Sequence, residues 1–168
     1  HSLDDGRYII AGKSKSFSEN SDINEQGYVI MVDNDGNEQW SKTWGEGFRK
    51  QFNSVEPTQD GNFILAGQYR TTPEFEVGYG ACIVKIDSEG NTLWDKNFLI
   101  DTVAVFNSVK TTSDGGYIAV GTITEYEPSW NNSILIVKVD PSGNQEWKKI
   151  IDTGYAYDVQ ETADGGYA

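Results

Sequence analysis

Three landmarks recur in fixed order along this 168-residue chain, about every 54 residues, so the fold must be built from copies of one supersecondary unit. The first landmark is a turn followed by an apolar strand. It reads Asp5-Gly6-Arg7-Tyr8-Ile9-Ile10-Ala11-Gly12, then Asp60-Gly61-Asn62-Phe63-Ile64-Leu65-Ala66-Gly67, then Asp114-Gly115-Gly116-Tyr117-Ile118-Ala119-Val120-Gly121. A fourth copy begins at Asp164-Gly165-Gly166-Tyr167-Ala168. The second landmark is an apolar run, a turn and a tryptophan. Val29 to Asp33 leads through Gly36 and Asn37 to Trp40, Ile83 to Asp87 leads to Trp94, and Ile136 to Asp140 leads to Trp147. The tryptophans are 54 and 53 residues apart. The third is a polar stretch ending in Thr: Asn53-Ser54-Val55 to Thr58, Asn107-Ser108-Val109 to Thr112, and Tyr157-Asp158-Val159 to Thr162. The last copy comes early, 12 residues after its Trp against 15 in the others. That places a deletion in the connecting loop, where length varies most freely.

Each unit reads as four strands, in the first copy near 7–12, 28–33, 38–44 and 51–58. The second is nearly all apolar, as for a strand covered on both faces. The third alternates, as in Trp40-x-Lys42-x-Trp44, and period two puts those side chains on one face. There the large groups can pack between units while the lysine lays its stem on them. Asp-x-x-Gly-Asn fits a type I turn closed by a left-handed glycine, and Pro141 sits where such a turn favours proline. No helix signal appears. Four strands per unit of about 50 residues is the pattern of a propeller blade. The expectation is an all-β chain, one partial β-propeller over 1–168, with about three four-stranded antiparallel blades at 5–59, 60–113 and 114–163 and the start of another at 164–168. Three blades leave apolar faces open, so further blades of the same chain are expected to cover them.

These motifs resemble a group of bacterial and archaeal secreted propeller-like repeat proteins. Their repeats run approximately T-x-D-G-G-Y-I-x-x-G, a variable loop, then V-K-x-D-x-x-G-N-x-x-W. Residues 112–121 and 137–147 match almost throughout. Copy one departs at Met31, where the pattern has Lys, and at Arg7, where it has Gly. The resemblance implies a segment of a large exported, cell-surface or extracellular protein, and brings no catalytic residues with it.

Charge narrows the partners. Thirteen basic against 26 acidic residues give a formal net charge of −13, which argues against nucleic acid and against anionic membrane surfaces. No stretch is long and apolar enough for membrane insertion as a helix. The single cysteine, Cys82, lies in the apolar run 81–84 and reads as a buried core residue.

Four features of the sequence could carry chemistry. Asp33-Asn34-Asp35-Gly36-Asn37 looks like the start of a calcium loop. The bidentate Glu such a loop needs at its twelfth position is Trp44, and in the other copies Phe98 and Ile151. The third position drifts from Asp35 to Glu89 to Ser142. A hairpin turn explains the pattern better, and no metal or other cofactor is assigned. Asp5, Asp60, Asp114 and Asp164 recur at one place in every unit, which suits a turn rather than the asymmetric pair of a glycosidase. The only histidine is His1, which leaves no Ser-His-Asp set. No Gly-rich phosphate loop precedes a helix. Asn131-Asn132-Ser133 matches a glycosylation acceptor.

The fourth signal is the loop between the first and second strands, near 13–27, 68–81 and 122–133. It differs in every copy and carries Phe17, then Tyr69, Arg70, Phe75 and Tyr79, then Tyr126 and Trp130. Aromatic groups on loops over a rigid scaffold can stack on sugars or peptides. The functional expectation is a non-enzymatic exported module for binding, adhesion or scaffolding, with carbohydrate or protein ligands. The alternative is part of a propeller enzyme, a polysaccharide lyase, hydrolase or quinoprotein, with its active site across a complete ring.

Overall fold

Each apolar run bounded by turns forms a strand. The computed structural model describes residues 1–15, 25–45, 49–70, 79–98, 103–125 and 131–168, and among these there is no helix. The eleven strands are β1 (Tyr8–Ser14), β2 (Gln26–Val32), β3 (Glu38–Trp44), β4 (Lys50–Pro57), β5 (Phe63–Tyr69), β6 (Gly80–Ile86), β7 (Thr92–Phe98), β8 (Val103–Thr111), β9 (Tyr117–Glu125), β10 (Asn131–Val139) and β11 (Gln145–Thr153). They make three antiparallel sheets in the orders β1-β2-β3, β4-β5-β6-β7 and β8-β9-β10-β11.

The sheets divide the repeat at a different point from the sequence landmarks. The polar stretch read as the last strand of one unit is the first strand of the next sheet: β4 pairs with β5, and β8 with β9. The turn chemistry explains the shift. Thr58 and Asn62 close a tight hairpin, with Thr58 N–H on Asn62 O at 2.9 Å and Gly61 N–H on Thr58 O at 3.0 Å. Gly61 has φ of 77°, which glycine tolerates without steric cost. This hairpin joins β4 to β5, while the β3–β4 connection carries the chain to the next sheet. The first sheet accordingly has three strands, not four, with Ser2 bridging Tyr8 beside it. The stretch before Thr162, read as a strand, forms only an isolated bridge between Glu161 and Tyr167.

The middle strands are covered on both sides. Every residue of β6 is buried. Alternate residues of β5 and β6 feed two cores. Leu65, Cys82 and Val84 join Ile9, Met31 and Phe52 between the first and second sheets. Ile64, Ala66 and Ile83 join Phe106, Ala119 and Leu135 between the second and third. Burying a side chain such as Phe106 contributes about 1.5–3 kcal/mol.

Successive sheets lock together at both edges. On the outer edge, Trp40 Nε1 donates to Ser88 O at 3.1 Å, Lys42 Nζ to Asn91 Oδ1 at 2.6 Å and Trp44 Nε1 to Thr92 Oγ1 at 2.9 Å. All three acceptors lie in or beside the β6–β7 turn. The Trp40 ring rests on Gly90, where a Cβ would come within 2.9 Å of it. Trp94 stands in the same relation to Gly143 of the β10–β11 turn, also at 2.9 Å. Trp94 and Tyr117 meet at 5.9 Å and 54°, and Trp147 and Tyr167 repeat both values.

On the inner edge, the pairing skips Asn53 and Asn107, each the extra residue of a bulge. Their amides reach the neighbouring backbone, Asn53 Nδ2 donating to Phe106 O at 2.9 Å and Asn107 Nδ2 to Ala156 O at 2.7 Å. Gly67 and Gly121 face the bulged strands so closely that a Cβ would lie 1.9 Å from Gln51 O and 1.8 Å from Val105 O.

Candidate functional site

The alternating strand direction gives the molecule two ends. The turns β2–β3, β4–β5, β6–β7, β8–β9 and β10–β11, all of one length, lie at one, and the connections of varying length, with β1–β2 and β5–β6 the longest, lie at the other.

The turn end repeats itself. Asp33 Oδ1 accepts the N–H groups of Asp35 and Asn37 at 2.9 and 2.8 Å. Asp87 and Asp140 make the same pair of bonds in their turns. Hydrogen bonds from the Asn side chain and the turn backbone hold these carboxyls below the usual carboxylate range. The carboxylates read as calcium candidates are thus the closures of hairpins. Among the described residues, no group of three or more His, Cys, Asp or Glu is disposed to hold a metal.

The recurrent Asp of the other turns also has a structural task. Asp114 accepts from Thr112 Oγ1 at 2.5 Å, Gly116 N at 2.9 Å and Lys138 Nζ at 2.8 Å. Asp60 accepts from Lys85 Nζ at 2.6 Å and from Thr58. Both lysines are almost wholly buried, Lys85 at 9 % and Lys138 at 2 % side-chain exposure; Lys85 depends on Asp60 for charge compensation, and Lys138 on Asp114 together with Glu146, whose Oε2 lies at 2.9 Å. For Asp114 the lysine bond, then those from Thr112 and Gly116, hold the carboxyl well below its ordinary range. For Asp60 partial burial pushes upward, and the bonds from Lys85, Thr58 and Asn62 outweigh it. The first sheet departs from this plan in a compensated way. Met31 replaces the lysine, and Arg7, where the third copy has Gly116, pairs with Asp5 at 2.7 Å. The two departures compensate each other, which their separate positions in the sequence do not show. Their coincidence in one copy was the available signal.

The connection end differs from sheet to sheet. It holds an open cleft of about 330 Å³ lined by Trp44, Arg49, Lys50, Tyr69, Arg70, Asp95 and their neighbours. That volume is at the lower end of the ~300–1,000 Å³ of small-molecule sites. Two of the residues expected from the sequence, Tyr69 and Arg70, line it, and a third, Tyr79, touches Arg70 from outside the lining. The Arg70 guanidinium lies over the Tyr79 ring, 5.4 Å from its centroid. Arg49 Nη1 donates to Tyr79 Oη at 3.5 Å. Tyr69 ends β5 and is only 6 % exposed. Its ring packs over Gly80, where a Cβ would come within 2.3 Å, so Tyr69 serves first as a core residue rather than a loop aromatic. Arg70 is 5 % exposed and Tyr79 half-buried. Phe17, Phe75, Tyr126 and Trp130 lie outside the described residues.

The sequence reading missed the buried Lys50 and its ion pair with Asp95. A signal was present, because both break the repeat. The strand position of Lys50 is Ala104 in the third sheet, and the residue after the landmark Trp is Ser41, Asp95 and Lys148 in turn. Cys82 is fully buried, and burial pushes its thiol up to about 12. It is no nucleophile at neutral pH.

No family model matches the chain, and no curated protein matches it. Among solved structures it is similar to a protein of unknown function from Bacteroides caccae, with a TM-score of 0.57 and 16% sequence identity. The match covers 96% of this chain and 49% of that one, so the chain spans about half the length of its structural neighbour. At this identity the likeness concerns the fold alone: the chain shares an all-β architecture with that protein.

Proposed function

We propose that the chain is a run of β-propeller blades that works outside the cell, without catalysis of its own, as a binding or scaffolding module. Its recognition surface is the connection-end cleft around Arg70 and Tyr79, and its ligand is a carbohydrate or a protein segment. One observation carries the reading. The Trp-on-Gly contact recurs between successive sheets, Trp40 on Gly90 and Trp94 on Gly143, while the inner strands β4 and β8 also touch. Sheets joined at both edges by a repeated contact stack face to face about an axis, as blades do. Ile10 and Ile151 are about half exposed on the faces turned away from the second sheet, and further blades of the same kind would cover them. The exported location follows from the resemblance of the repeats to secreted proteins.

The division of chemistry supports binding over catalysis. Recurrent residues hold most of the scaffold, while Lys50, Arg70 and Asp95, which do not recur, meet at one cleft, as in folds that mount variable loops on a rigid frame. A glycan array and a pull-down with the 168-residue chain test the reading. A retained ligand that is lost on Arg70→Ala supports it. Substrate turnover that depends on residues of this chain would overturn it.

A further inference from the structure

We draw no further inference here: the strongest candidate, the apolar face of the third sheet around Trp147 and Ile151, turned away from the second sheet, carries nothing beyond the stacking of blades already proposed, because nothing in the structure shows what covers it.

Discussion

The first and third sheets carry the same landmarks, yet the same residue does different work in each. Gly12 and Gly121 occupy one place in the repeat. A Cβ on Gly12 would meet nothing within 4 Å, whereas one on Gly121 would lie 1.8 Å from Val105 O. The difference is β8, which pairs along the edge of β9, while β1 has only Ser2 bridged at its start. Likewise Asp5 pairs with the solvated Arg7, but Asp114, together with Glu146, compensates the buried Lys138. A repeated residue thus acquires its energetic role from its neighbours and not from the motif alone.

Substitutions at paired positions can break this comparison. The largest effect is expected at the glycines. Gly121→Ala forces backbone apart and should cost about 3 kcal/mol in urea unfolding. Gly12→Ala should be neutral or stabilising by about 0.5 kcal/mol, since alanine loses less chain entropy in a strand. Equal costs at the two sites would show that the bulged inner strand does not approach as described.

A smaller contrast lies in the carboxylates. Asp60→Ala removes the carboxylate that compensates buried Lys85 and should cost about 2 kcal/mol, whereas Asp5→Ala should cost far less because its ion pair is exposed. The same contacts set a pH dependence. Asp60 and Asp114 have folded pKa values below their unfolded ones. Their contribution is therefore present above the unfolded value of about 4 and is lost as pH falls below it. Urea midpoints should drop on acidification below that value, and the drop should shrink in Asp114→Asn.

The turn glycines sharpen the comparison further. Gly36 and Gly143 share a left-handed φ, 83° and 79°, but only Gly143 carries a tryptophan from the preceding sheet. Gly36→Ala should cost about 1 kcal/mol for backbone strain alone, and Gly143→Ala roughly twice that. The smallest expected signal is at Cys82. A thiol reagent should modify it in the native chain only as fast as the protein unfolds, and at full speed in denaturant.

Most of the fold was legible because its determinants are local. The hairpin turns follow from Asp33, Gly36 and Asn37 and their copies, and the doubly covered strand from the unbroken apolar run 81–84. The phase of the sheets was not legible. Periodicity shows that Asn53 to Thr58 recurs, but only hydrogen bonding shows which sheet it joins. The cleft was half legible. Arg70 and Tyr79 stood out as loop residues beside a scaffold, whereas Lys50 and Asp95 lie on separate strands and meet only through pairing. Tyr69 belonged to the strand rather than the loop, because Gly80 opposite leaves room for its ring.

Stacking of the sheets through tryptophan and glycine is tested most directly by proton NMR of the 168-residue chain. Ring currents should move the α-protons of Gly90 and Gly143 upfield, with nuclear Overhauser contacts to Trp40 and Trp94, and leave those of Gly36 unshifted. Ordinary shifts at Gly90 and Gly143, without contacts to either indole, would contradict it.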